Sequence, residues 1–129
     1  VYVCVDTSGS VSDIEINKFM SEIKGILNSY PNLICKLWYA DHMCYGPYAI
    51  ESIKEIPKPV GGGGTDFKPF FNAINSKDFK DKEAVCVYLT DGYGYFPSSR
   101  PKFPVLWVVI PGGAENDYFP FGDVIRLNN

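Results

Sequence analysis

The chain opens with the stretch VYVCVDTSGS, residues 1–10, which decides the fold. Residues 1–5 are apolar throughout, as is typical of a parallel strand covered on both faces. Asp6, Ser8 and Ser10 follow at alternate positions, on a turn that leads into a helix. In an open α/β sheet such a turn lies at the carboxyl edge of the strands, where ligands bind. Carboxylate and hydroxyl oxygens are hard ligands, so this turn predicts a site for Mg²⁺, Mn²⁺ or Ca²⁺.

The composition indicates one globular domain over residues 1–129. Hydrophobic residues are 46% and charged residues 21% of the chain. No apolar run approaches the roughly 20 residues that span a bilayer, so we expect no membrane partner. The formal net charge of −3, without a cluster of Lys and Arg, argues against a nucleic-acid partner. Because the first residue is Val1, inside an apparent strand, we expect the C-terminal part of a longer protein.

The four cysteines do not form the pattern of a disulfide framework. Cys4, Cys35 and Cys86 lie within apolar runs, where cysteine behaves as a small hydrophobic residue. No C-x-x-C pair supports a zinc site. Cys44 lies in a loop-like context near His42 with no third ligand nearby, which favours an ordinary loop thiol. We therefore expect a reducing compartment and a cytoplasmic location.

The first half of the chain reads as strand, helix and two strands. Ser12 and Glu15 have the spacing of a capping box, and an apolar stripe at steps of three and four then runs to residue 30, where Pro31 stops the helix. The alternating pattern of side chains in residues 33–40 predicts a second strand. The pattern predicts a third strand over residues 48–56. Because the link between these strands is too short for a helical crossover, we expect the third strand to be antiparallel and at an edge.

The second half contains a glycine-rich loop, a short helix and three more strands. Residues 57–64 include four consecutive glycines, and apolar residues from Phe67 to Ile74 then indicate a helix. Residues 84–89, 105–110 and 124–127 read as strands. The sequence therefore predicts an α/β, three-layer domain with a Rossmann-like, mostly parallel sheet of about six strands and one antiparallel edge strand.

Five oxygen-bearing side chains fall at the carboxyl edge of this predicted sheet. They are Asp6, Ser8 and Ser10 after the first strand, Thr65 before the second helix, and Asp91 after the fourth strand. Two carboxylates balance the charge of a divalent ion, and three hydroxyls complete much of an octahedron. Since hydroxyls are weak ligands, we expect an exchangeable, electrophilic ion with an open position for a carboxylate from a partner.

The same residues carry a resemblance to a known family. The D-x-S-x-S element of residues 6–10, with Thr65 and Asp91 following in order, is similar to the metal-ion-dependent adhesion site of von Willebrand factor A (VWA) domains. The runs 61–67, 90–97, 104–107 and 120–122 extend the resemblance over essentially the whole chain. They are most similar to the C-terminal VWA-like domain of a bacterial family of predicted metallopeptidases.

The resemblance implies a role for each of the five residues. Ser8 and Ser10 would touch the metal directly, and Thr65 would bind it directly or through water. Asp6 and Asp91 would hold the ion partly through bridging waters. In that family a zinc-peptidase-like domain precedes the VWA-like module, so an upstream domain of the same chain becomes an expected partner. The present chain contains one His and no H-E-x-x-H motif, which excludes a peptidase site within it.

The links on either side of the fifth strand lack helical patterns, although this strand is apolar on both faces. Either the loop aromatics fold over it or another domain covers it. The aromatics in question are Tyr93, Tyr95, Phe96, Phe103, Tyr118, Phe119 and Phe121. Because the expected helices are absent, we expect this part of the sheet to dock partly against the upstream domain.

Other interpretations of the site explain less of the sequence. A simple helix N-cap at the serine turn leaves Thr65 and Asp91 unexplained. The glycine run lacks the lysine of a phosphate-binding loop. A serine hydrolase needs a base near Ser8 or Ser10, and the single His42 follows a different strand.

We therefore predict a metal-dependent protein-binding module and not an enzyme. A partner Asp or Glu carboxylate would occupy the open position of a Mg²⁺-like ion, and loop 92–104 would shape specificity. Two alternatives stay open: a regulatory or structural appendage with a vestigial metal site, and a small metal-dependent hydrolase.

Overall fold

A computed structural model describes residues 1–30, 32–50, 62–76, 78–79 and 83–127. Within these ranges the elements are β1 (Tyr2–Asp6), α1 (Asp13–Ser29), β2 (Cys35–Ala40), β3 (Cys44–Ile50), α2 (Lys68–Ile74), β4 (Cys86–Thr90), β5 (Val105–Val109) and β6 (Asp123–Arg126). A short 3₁₀ helix, Asn116–Tyr118, precedes β6. None of the described helices has the length and apolarity that a membrane crossing requires.

The six strands of the described residues form one sheet in the order β3-β2-β1-β4-β5-β6. Every pairing is parallel except that of β2 with β3, which is antiparallel at one edge. The predicted fold class is therefore confirmed. The chain moves outward from β1 to β2 and β3, and then returns to place β4 on the other side of β1. This reversal between β1 and β4 creates a crevice at their carboxyl ends, where open α/β sheets bind ligands.

Helix α1 begins as the capping box predicts. The Ser12 hydroxyl accepts a hydrogen bond from the Glu15 amide at 3.2 Å, and the Glu15 carboxylate reaches back to the Ser12 amide. The buried stripe of α1, which includes Phe19 and Ile23, packs on one face of β1 and β2. The helix ends at Ser29, and residue 31, whose proline was expected to stop it, lies outside the described residues.

The opposite face of the sheet is covered by α2 and by aromatic residues of the loops. Trp107 of β5 stacks on Tyr88 of β4 at 5.2 Å, and its indole N–H donates to the Phe121 carbonyl at 2.9 Å. The rings of Phe96 and Phe119 also pack against Trp107. On this face, the loop aromatics take the place of the helix that the sequence lacks.

The α1 side of β5 and β6 is only partly covered. Here a groove of about 360 Å³ runs between α1 and the sheet, with Leu106 and Val108 in its floor. Ile125 of β6 borders it and is 50% exposed. The loop aromatics therefore cover one face of the fifth strand and leave an apolar groove on the other.

The predicted third strand was placed too late in the chain. β3 begins at Cys44, while residues 51–56 of the expected strand lie outside the described residues. The chain reverses directly after β2, because the Asp41 carboxylate accepts the Met43 amide at 2.9 Å and closes a tight turn. Pro47 is tolerated within β3 because this is an edge strand with an irregular register opposite β2. Likewise, β2 begins at Cys35 and not at residue 33, and only residues 62–64 of the expected 57–64 loop are described.

Candidate functional site

Two buried carboxylates meet at the carboxyl ends of β1 and β4. Asp6 is the last residue of β1 and is fully buried, and Asp91 directly follows β4 and is 6% exposed. Since β1 and β4 are parallel neighbours, both carboxylates lie at the same edge. Burial raises the pKa of the Asp6 carboxyl above its ordinary value, and the Asp91 charge adds to this, although hydrogen bonds from Ser8 and Thr90 act in the opposite direction.

Both oxygens of Asp6 accept hydrogen bonds from the protein. Oδ1 accepts the Ser8 amide at 2.9 Å, and Oδ2 accepts the Thr90 hydroxyl at 2.6 Å. The Thr90 oxygen in turn accepts the Gly92 amide at 3.0 Å. Thr90 therefore joins the end of β4 to the end of β1, a role that the sequence analysis did not assign to it. Its signal in the sequence is a hydroxyl residue at the end of an otherwise apolar strand.

The two serines of the first turn face the same side. The Ser8 and Ser10 hydroxyl oxygens lie 3.2 Å apart, with Ser8 buried and Ser10 exposed to solvent. Thr7, between Asp6 and Ser8, anchors the turn to β2, because its amide and its hydroxyl both donate to the Ala40 carbonyl, at 2.8 and 3.3 Å. Successive side chains of this turn point in alternate directions, so the serine hydroxyls lie at the crevice and the Thr7 side chain points into the protein.

Residues 62–64 are all glycine, and this segment, which we call the glycine corner, brings Thr65 to the same edge. The Gly63 carbonyl accepts the Gly9 amide at 3.3 Å, and the Gly63 amide donates to the Asp41 carboxylate at 3.1 Å. The Asp41 carbonyl accepts the Asp66 amide at 3.0 Å, directly after Thr65. Asp41 thus fastens both ends of the short segment that carries Thr65. Its signal in the sequence is a carboxylate directly after the predicted second strand.

Hydrogen bonding also sets the protonation of Asp41. Burial by itself raises the pKa of this carboxyl, but the amide donors of Met43 and Gly63, together with His42, outweigh it and lower the pKa below the ordinary value. The His42 imidazole lies 3.4 Å from the Asp41 carboxylate, and no hydrogen bond among the described residues joins it to Ser8 or Ser10.

Comparison with known families matches residues 1–128 to the family described as VWA-like domain (DUF2201). The chain belongs to this family. Two crystal structures resemble this VWA-like domain at 14% sequence identity and 99% coverage of the present chain. One is an aerotolerance-related membrane protein from Bacteroides fragilis NCTC 9343 with multiple mutations to serines (TM-score 0.69, 90% of that chain covered). The other is the conserved hypothetical protein BatB from Bacteroides thetaiotaomicron (TM-score 0.64, 89% covered). At this identity the likeness shows the fold alone, and no curated protein matches the chain.

The candidate donor atoms of this VWA-like domain are hard oxygen atoms. Among the described residues, no group of three or more His, Cys, Asp or Glu side chains could hold a metal ion. The edge instead combines two carboxylates with hydroxyls, a set whose chemistry suits Mg²⁺ better than a softer metal. Each Asp6 oxygen accepts one hydrogen bond from the protein and keeps a lone pair for a water molecule or an ion. As metal ligands, Asp6, Ser8, Ser10, Thr65 and Asp91 stay predictions.

Proposed function

We propose that this VWA-like domain is a divalent-metal-dependent protein-binding module. The observation that carries the proposal is the placement of Asp6 and Asp91, both buried, at the carboxyl ends of two paired parallel strands beside the Ser8–Ser10 hydroxyl pair. The buried Asp6 carboxylate is costly to ionise without a cation, because burial disfavours its charged form and raises its pKa. A divalent ion held by Asp6, Ser8, Ser10, Thr65 and Asp91 removes this cost.

The proposed ligand is a carboxylate of a partner protein. When bound, Mg²⁺, or in its place Mn²⁺ or Ca²⁺, supplies an electrophilic centre whose charge two aspartates neutralise without saturating it. The exposed hydroxyl of Ser10 leaves the outer side of the site open to solvent. An Asp or Glu side chain of the partner is the ligand type that fits such a position, since it adds a hard, charged oxygen.

The direct test is the response of thermal stability to Mg²⁺. At a Mg²⁺ concentration about 100 times the dissociation constant, binding to the folded state stabilises the wild type by about 2.7 kcal/mol. Asp6→Ala is expected to abolish this response, and Ser8→Ala is expected to weaken it. Glu22→Ala is the matched control, because it removes the same charge from the exposed side of α1. A full Mg²⁺ response in the Asp6 variant overturns the proposal.

We propose binding and not catalysis as the activity of the isolated domain. The support is the position of His42, which contacts Asp41 and Gly63 and is not hydrogen bonded to either serine. A serine nucleophile needs a base within hydrogen-bond reach. A panel of phosphoesters and carboxylic esters assayed with Mg²⁺ and Mn²⁺ tests this, and turnover that Ser8→Ala abolishes favours a hydrolase instead.

A second candidate function is that of an appendage docked to an upstream, metallopeptidase-like domain in the cytoplasm. The apolar groove beside α1 favours it, because Leu106 and Ile125 present apolar surface there. The free thiols of Cys4, Cys35 and Cys86 fit a reducing compartment. If partner capture by the full-length parent is insensitive to chelator but lost in Ile125→Glu, the appendage function is favoured over the metal-dependent one.

A further inference from the structure

Three tyrosines stand exposed on the loops that surround the candidate metal site. Tyr93, Tyr95 and Tyr118 are 52%, 70% and 53% exposed, and we call them the tyrosine rim. Neighbouring phenylalanines on the same loops, such as Phe119, turn inward and pack on Trp107. On these loops, phenylalanine rings therefore pack in the core, whereas the three tyrosine rings lie at the surface.

The rim borders the proposed ligands directly. The Tyr93 amide donates to the Asp91 carboxylate at 3.0 Å. Tyr95 is held beside the glycine corner, because its carbonyl accepts the Phe67 amide at 3.0 Å and its backbone forms a bridge with Asp66. A partner residue next to a metal-bound carboxylate would therefore meet this surface first.

Contacts within the domain restrain parts of the rim. The Tyr93 and Tyr118 rings meet edge to face at 5.6 Å, so each restrains the other. Gly94 lies so close to Thr65 that an added Cβ would come within 2.8 Å of its methyl group. Tyrosine surfaces ordered in this way give large contact area at a low cost in conformational entropy, which is why tyrosine is enriched at binding sites.

The charges of the side chains at this edge limit which partner segments can bind. The edge around the site carries the carboxylates of Asp41 and Asp66 in addition to those of Asp6 and Asp91, which the proposed function assigns to the ion. Lys68 lies 3.9 Å from the Asp66 carboxylate and 5.8 Å from the ring centroid of Tyr95. The ion holds one acid of the partner, whereas a further acid would meet uncharged phenol rings and a lysine that is already paired with Asp66. The neutral phenol rings instead favour apolar or aromatic neighbours.

We propose that the tyrosine rim selects an extended segment of a protein partner in which a single Asp or Glu is flanked by apolar or aromatic residues. This inference rests on the proposed function, because the acid must be held by the ion. The rim then supplies specificity that the metal site alone cannot give, since any exposed carboxylate can bind a metal.

The test is a selection of phage-displayed peptides with a fixed central Asp and four random residues on either side, bound in Mg²⁺ and released by EDTA. The wild type is expected to enrich apolar and aromatic residues next to the Asp. A selected peptide should bind about tenfold more tightly than its glycine-flanked counterpart by fluorescence anisotropy. The triple variant Tyr93→Ser, Tyr95→Ser, Tyr118→Ser is expected to lose this difference. Tyr30→Ser, at the far end of α1 and 65% exposed in the wild type, is expected to keep it.

Mg²⁺-dependent thermal stabilisation separates failure of the inference from failure of the proposed function. If the triple variant keeps both Mg²⁺ stabilisation and the preference for apolar flanks, the inference is wrong while the metal-dependent function stands. Selection of peptides rich in additional acids also overturns it. If the wild type shows no Mg²⁺ stabilisation and releases no phage with EDTA, both fail together. Loss of flank preference with Mg²⁺ stabilisation intact is the supporting result.

Discussion

Replacing Thr90 by valine tests the connection between β1 and β4 without requiring a metal ion. The Thr90 hydroxyl donates to the Asp6 carboxylate at 2.6 Å and accepts the Gly92 amide at 3.0 Å, and its side chain is fully buried. Valine has nearly the same shape, so the substitution removes the two hydrogen bonds and leaves the packing largely unchanged.

The expected loss of stability follows from those two bonds. A hydrogen bond to a charged group contributes about 1.5–3 kcal/mol net, and a buried amide left without an acceptor costs about 1–3 kcal/mol. We expect Thr90→Val to lower the free energy of unfolding by about 3 kcal/mol at pH 8. The loss should shrink as the pH falls through the raised pKa of Asp6, since the bond is weaker once the carboxyl is neutral.

The measurement is urea unfolding at equilibrium, with EDTA present, at pH 5 and pH 8. Thr90→Ser keeps the hydroxyl and is expected to retain most of the stability. A double-mutant cycle with Asp6→Asn isolates the Thr90–Asp6 term, for which we expect a coupling of at least about 1 kcal/mol. A loss below about 1 kcal/mol for Thr90→Val, or an equal loss for Thr90→Ser, would show that the hydroxyl does not join the two strands.

Three further substitutions have definite expected outcomes. Asp6→Asn should make the metal-free protein more stable above the raised pKa of this group, because it removes a buried charge; the gain should vanish below about pH 4 in a pH series of thermal melts. Asp41→Asn should cost about 1.5–3 kcal/mol at pH 7 in urea unfolding, and should cost less as the pH falls through the lowered pKa of Asp41. Trp107→Phe should cost about 2 kcal/mol by the same assay, since it leaves a cavity and the Phe121 carbonyl without its donor.

The fold was predictable because its determinants are local and periodic. The continuous apolar runs at β1, β4 and β5 indicated central parallel strands, and the capping box marked the start of α1. The position of β3 was not predictable in the same way. Its start depends on a carboxylate-closed turn at Asp41 and on a bulged edge that accepts Pro47, and neither feature has a period that sequence reasoning can detect.

For a similar reason, the candidate site could be predicted only in part from the sequence. Asp6, Ser8 and Ser10 lie within five residues of one another, so their proximity follows from one turn. Thr90 and Asp41 act across the sheet, and their partners lie 84 and 22 residues away in sequence. The Thr90–Asp6 bond becomes visible only when the strand order is known, because β4 returns to lie beside β1. The Asp41–Gly63 bond depends on how the glycine corner approaches the end of β2.

The residues at this edge differ in their expected roles according to whether a helix packs beside their strand. The predicted ligands on β1 and β4 lie over the best-covered part of the sheet, where Asp6 and Thr90 are fully buried and held by several hydrogen bonds. The loops around β5 carry no long helix, so their inner aromatic residues serve as core while their outer residues face solvent. Substitutions at exposed positions such as Tyr95 are therefore expected to alter the proposed binding surface at little cost in stability, whereas changes at Thr90 are expected to disturb the strand ends that carry the candidate site. Specificity is expected to vary in the loops, and the capacity to hold an ion is expected to depend on the strand ends.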